Sequence, residues 1–105
     1  MTMVVEQAYL RITGGRESDF EEAFRAARPL LAQAQGCTSV ELFRDAEHRS
    51  TYLLRVGWER LEDHLVAFPA SDAGKRFAEH VAGFFADEPE VRHFESTDRS
   101  AGGAV

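Results

Sequence analysis

Four histidines, His48, His64, His80 and His93, are the side chains of this chain best suited to carry a proton near neutral pH. Two of them fall on apolar helical stripes. From Trp58 to Phe68, the residues Leu61, Leu65 and Phe68 recur at i, i+4 and i+7, and His64 lies three after Leu61 and four before Phe68. Beyond Pro69, Ala73, Phe77, Val81 and Phe84 form a second stripe that includes His80. An imidazole turned toward a core suits proton transfer or ligand recognition in a small pocket. The chemistry that such a pocket can support without a cofactor motif begins with an electron-rich phenol or hydroquinone. Once deprotonated, such a ring passes an electron to dioxygen directly. The protein then supplies an apolar slot, a base, and donors for the developing oxyanion. Trp58, Phe68, Phe77 and Phe84 are the expected slot, His64 the base, Tyr9, Tyr52 or Arg11 the donors, and His80 and His93 further lining. Each has a structural rival: His64 and His80 as core histidines bonded to carbonyls, His93 as a surface residue, the aromatic rings as ordinary core.

Other chemistries leave no trace. Gly14-Gly15 is a turn rather than a phosphate loop, and no Gly-x-Ser-x-Gly elbow occurs. The histidines lack the His-Glu-x-x-His spacing of a zinc helix, and the single Cys37 has no cysteine partner for a disulfide or a zinc site. No metal and no cofactor are expected. A formal charge of −6, with arginines scattered along the chain, argues against nucleic acid and anionic membrane as partners. Hydrophobic content of 44% with 29% charged residues is that of a globular domain. The first residues, Met1-Thr2-Met3-Val4-Val5-Glu6, carry no signal-peptide pattern, and no run approaches the roughly 20 apolar residues of a membrane span. A cytoplasmic location is the expectation.

The elements that must position these residues follow from periodicity. Val4, Ala8, Leu10 and Ile12 alternate on one face of a first strand, with Tyr9 and Arg11 on the other. Glu6 falls on the apolar face, so it is either frayed or paired with a buried partner. Ser18-x-x-Glu21 reads as a capping box, with the helix starting there or a turn earlier near Arg16, and Gly36 closes it. Pro29 inside the pattern predicts a kink. Thr38–Arg44 and Thr51–Val56 read as a hairpin, two helices follow with Ser71 or Asp72 capping the second, and Val91–Glu95 is a short last strand. Residues 1–95 thus form one domain and residues 96–105 a flexible tail. Strand–helix–strand–strand–helix–strand is the split βαβ, ferredoxin-like α+β plan. Its second sheet face, bearing Tyr9 and Phe43, calls for cover by a second copy of the chain.

The Val5-Glu6-Gln7-Ala8 strand, Gly15-Arg16-Glu17 before the Phe20/Phe24 helix, Gly36, and the run from Tyr52 through Trp58 to His64 resemble the antibiotic biosynthesis monooxygenase (ABM) domain family. The resemblance spans roughly Val4 to Glu95. It implies a homodimeric α+β barrel and, as one activity of several in the family, cofactor-independent oxygenation of a small aromatic molecule of polyketide, phenol or quinol type. It also implies that His64 matches a histidine found after the Trp-Glu segment. A haem-degrading branch uses an Asn on the first strand, a Trp on the second helical segment and a His. Here Gln7 replaces the Asn and the sole Trp, Trp58, ends a strand, so two of those three parts are missing. The rival implication is a dimeric ligand-binding or accessory protein of the same fold without oxygenase activity.

Overall fold

A computed structural model describes residues 3–97, and the tail expected from Ser96 onward lies almost wholly outside the described residues. Its strands are β1 (Val4–Arg11), β2 (Cys37–Arg44), β3 (Thr51–Trp58) and β4 (Glu90–Glu95). They form one antiparallel sheet in the order β2-β3-β1-β4. Helix α1 (Glu17–Ala32) joins β1 to β2. A π-helical turn (Asp63–Ala67), a short α2 (Phe68–Ala70), α3 (Asp72–Val81) and a 3₁₀ turn (Ala82–Phe84) join β3 to β4. This is the ferredoxin-like α+β fold that the element order predicts.

Alternation along each strand decides which residues meet the helices. Val4, Glu6, Ala8 and Leu10 of β1 and Tyr52, Leu54, Val56 and Trp58 of β3 are buried on the inner face. Phe20, Phe24, Ala27 and Leu31, at helical spacing on α1, close over them. The opposite face is open: Tyr9, Phe43 and Phe94 remain 43%, 46% and 46% exposed.

Local details differ from the sequence expectation in instructive ways. Helix α1 begins at Glu17 with no side-chain cap, so the Ser18/Glu21 capping box is not formed. Glu17 instead accepts from the Gly15 amide at 3.0 Å and from Ser50 Oγ at 2.5 Å, while Glu21 accepts from Tyr52 Oη at 2.5 Å. Of the two expected caps for α3, Ser71 is the one formed, its Oγ accepting from the Gly74 amide at 3.0 Å. Gly36 adopts φ +79°, and a Cβ there would collide with the Asp63 carboxylate. Only glycine fits both constraints.

Candidate functional site

Two charged side chains are buried among the described residues, Glu6 on the inner sheet face and Asp63 on the π turn. Asp63 is a structural clasp. It accepts from Gln35 Nε2 at 3.0 Å, lies 3.5 Å from Arg60 Nη2, and packs on Gly36, tying the turn after α1 to the segment after β3. Glu6 is different, because its surroundings include a cavity.

Strand register sets the cluster around Glu6. In the sheet it lies opposite Val56 on β3 and His93 on β4. Trp58, two residues beyond Val56 on the same face, is fully buried and donates Nε1–H to Glu6 Oε1 at 3.0 Å. The imidazole of His64 stacks on the Trp58 indole, ring centroids 5.3 Å apart and planes 14° from parallel. Its Nε2 comes to 3.4 Å from Glu6 Oε1, and its Nδ1 to 2.7 Å from Nε2 of His93. An ionised carboxylate only accepts, so Nε2 of His64 carries the hydrogen facing it. Nδ1 is then an acceptor, and His93 must donate. Glu6, His64 and His93 form a continuous chain from the buried sheet face toward the half-buried His93.

The helix that delivers His64 is not the α-helix its periodicity suggests. Pro69 has no N–H to give to Leu65 and its ring crowds that carbonyl, so an α-helical ladder cannot close here. The chain instead forms a π turn, with the Phe68 amide bonded to the Asp63 carbonyl. Spacing of five therefore replaces spacing of four, and Asp63 and Phe68 share the buried face. Leu61 and Leu65, expected inside, are 39% and 53% exposed. His64 still reaches the interior, carried by the widened turn.

The cavity beneath α3 has a volume of about 180 Å³. Its floor is Glu6, Ala8, Leu10 and Leu54 of the sheet, walled by Phe20, Phe24 and Phe77. Glu6 is the only charged residue among all those that line it. Both contacts of its carboxylate use Oε1, so Oε2 takes no hydrogen bond among the described residues. Burial pushes the Glu6 carboxyl up to about 6, the Trp58 hydrogen bond opposing only part of the shift. Burial also pulls His64 down to about 4, with the neighbouring His93 adding to the effect. The contact between Glu6 and His64 does not reverse this. At the pH where His64 would take a proton, Glu6 is already protonated and offers no anion. At neutral pH the pair is therefore carboxylate and neutral imidazole.

The structure gathers part of the expected set and disperses the rest. Trp58, His64 and His93 meet at Glu6. Phe68 packs on Trp58 and on Phe77, at 5.8 and 5.9 Å between centroids, and Phe77 walls the cavity. His80 is exposed on α3 rather than on its inner stripe, because Phe77 and Val81 take the inward positions. Tyr52 is buried on the right face but six residues from Trp58, about 20 Å along the strand, and its hydroxyl is committed to Glu21. Burial, with that bond adding to it, pushes its pKa up to about 12. Tyr9 and Arg11 lie on the open face, Arg11 paired with Asp87 at 2.9 Å. Phe84 packs on Phe20 outside the cavity, where Phe85 takes the lining position. Glu6 was absent from the expected set; its signal was a carboxylate on an otherwise apolar strand face. Among the described residues no three His, Cys, Asp or Glu side chains converge as metal ligands, and no helix is long and apolar enough to cross a membrane.

Comparison with known proteins agrees with this architecture. The uncharacterized protein YczJ of Bacillus subtilis (strain 168) is 38% identical over 93 residues, covering 89% of this chain and 98% of its own. A solved structure of a candidate antibiotic biosynthesis monooxygenase from Bordetella bronchiseptica is 36% identical with a TM-score of 0.88, covering 92% of this chain and 99% of that one. SnoaB, a cofactor-independent oxygenase from Streptomyces nogalater, shares the fold at 16% identity, with a TM-score of 0.79 over 93% of this chain and 96% of its own. The family model described as antibiotic biosynthesis monooxygenase matches residues 3–80. The chain belongs to the antibiotic biosynthesis monooxygenase (ABM) family.

Proposed function

We propose that this protein is a cofactor-independent monooxygenase for a small aromatic substrate of phenol type, with Glu6 as general base and His64 and His93 as the proton relay behind it. The observation that carries this reading is the single carboxylate of Glu6 lining an otherwise apolar cavity. His64, the base expected from the sequence, serves better as relay. With its pKa drawn to about 4 it is a weak base at neutral pH, whereas Glu6 at about 6 is ionised and faces the cavity.

In the proposed reaction Glu6 takes the hydroxyl proton of an electron-rich phenol with a hydrogen on its para carbon. A phenol resembling the tyrosine side chain ionises near 10, so transfer to Glu6 is uphill by about 5 kcal/mol. That is well inside the roughly 16 kcal/mol barrier of an enzyme turning over about ten times per second. The protonated Glu6 then keeps its proton and donates a hydrogen bond to the phenolate oxygen. The phenolate gives an electron to dioxygen, the radicals combine to form the C–O bond at the para carbon, and the peroxide takes a proton from solvent, matched by the one that Glu6 later releases. Cleavage of the O–O bond with loss of the para C–H proton releases water and leaves a quinone. Phenol and O2 become quinone and H2O, and the substrate supplies all the electrons. Imidazoles of His64 and His93 return protons between Glu6 and solvent.

A second copy of the chain on the open sheet face belongs to the same reading. Tyr9, Phe43 and Phe94 expose apolar surface there that isolation in water disfavours. The test of the reading is oxygen uptake matched to quinone formation. One O2 consumed per quinone, in metal-depleted buffer, supports it. Saturable binding of the same phenols without oxygen uptake would point to the ligand-binding alternative.

A further inference from the structure

We infer that the cavity is built for a monocyclic phenol, inserted hydroxyl first onto Oε2 of Glu6, and excludes fused three-ring aromatics; this rests on the cavity being the substrate site.

Size, polarity and shape each argue for it. A dry cavity of about 150 Å³ accommodates benzene, whereas pockets for larger ligands run from about 300 Å³ upward. The 180 Å³ here holds one ring with small substituents. Polarity allows one hydrogen-bonding group, and it has to be at the depth of Glu6, because every other lining residue is apolar. The exposed lining residues, Ala78 of α3, Ala82 of the 3₁₀ turn and Val91 of β4, mark the mouth. Glu6, Leu10 and Phe20 are buried at the base. A ring that enters hydroxyl first therefore presents its para carbon toward the mouth, the side from which dioxygen arrives. Ala78 and Ala82 keep that mouth wide enough for a flat ring, so they set specificity without touching the proton chain.

The test is anaerobic titration of the full-length protein at neutral pH, followed by Trp58 fluorescence and by calorimetry, with phenol, 3-methylphenol, 2-naphthol and anthrone. The expected result is saturable binding of the two monocycles, with anthrone weaker by at least about tenfold. Ala78→Phe, with the fold verified by circular dichroism, is expected to weaken monocycle binding by at least about tenfold. Anthrone binding as tightly as the monocycles, no binding of any monocycle, or a folded Ala78→Phe that binds unchanged would overturn the inference. If Ala78→Phe does not fold, the ring-size series on the unmodified protein decides alone. The two readings fail separately. Monocycle binding without oxygen uptake removes the oxygenase and leaves this inference standing, while turnover of anthrone without monocycle binding does the reverse.

Discussion

Replacing Glu6 with glutamine should make the protein more stable at neutral pH and leave it little changed in acid. The carboxyl ionises near 4.5 when exposed and near 6 in the folded protein. Each pKa unit corresponds to about 1.4 kcal/mol, so the fold resists ionisation of this group by about 2 kcal/mol. The sign follows from linkage. Between these two values the folded state holds a proton that the unfolded state has released, so raising the pH destabilises the fold. Below 4.5 both states are protonated and the penalty vanishes; above 6 it is fully present. His64 acts in the opposite direction. Drawn down from 6.5 to about 4, a larger shift than that of Glu6, it contributes stability that is lost as pH falls through that window, and it outweighs Glu6 in the wild-type profile. Comparing Glu6→Gln with wild type in urea at a series of pH values isolates the carboxylate. The stability difference should grow in favour of the variant by about 2 kcal/mol from pH 4 to pH 7. A difference that stays flat across this range would refute the reasoning, because it would mean the carboxylate is not desolvated.

His64→Ala should keep the fold and lower turnover by about 10²-fold or more, with partial recovery by added imidazole in the assay, since the relay rather than the base is removed. Tyr52→Phe, which deletes the bond to Glu21 far from the cavity, should cost about 1 kcal/mol in a urea melt and leave turnover within about twofold. Gly36→Ala should destabilise by about 2 kcal/mol or more in thermal or chemical unfolding, because it demands positive φ of an L-residue and strikes the Asp63 carboxylate. The chain should sediment as a dimer at micromolar concentration, and Tyr9→Glu combined with Phe43→Glu as a folded monomer; a monomeric wild type would remove the proposed dimer, and an unchanged dimer would place the contact elsewhere.

Strand alternation made the sheet and its inner face legible in the sequence, since period-2 burial depends only on neighbours along the chain. The same rule exposed Glu6 as out of place on an apolar face, and the structure gives it the buried Trp58 and the half-buried His64 as partners. Its place in a cavity was not legible, because the register that sets His93 opposite Glu6 joins residues far apart in the chain. The π turn was hidden for a different reason. Leu61, Leu65 and Phe68 satisfy an α-helical stripe, and Pro69 signals where the helix ends rather than how the preceding turn rearranges. Tyr52 shows the limit of face-level reasoning: it shares its face with Trp58 yet lies too far along β3 to reach the same ligand.

In the proposed reaction the Glu6 carboxylate takes the substrate proton. Oxygen uptake by wild type and Glu6→Gln, with an electron-rich monocyclic phenol from pH 4.5 to 8, tests it most directly. Wild-type kcat/KM should rise with pH through an apparent pKa near 6 and then level, and Glu6→Gln should lose about 10²-fold or more and this inflection with it. A Glu6→Gln variant that consumes oxygen at the wild-type rate with the same pH profile would contradict it.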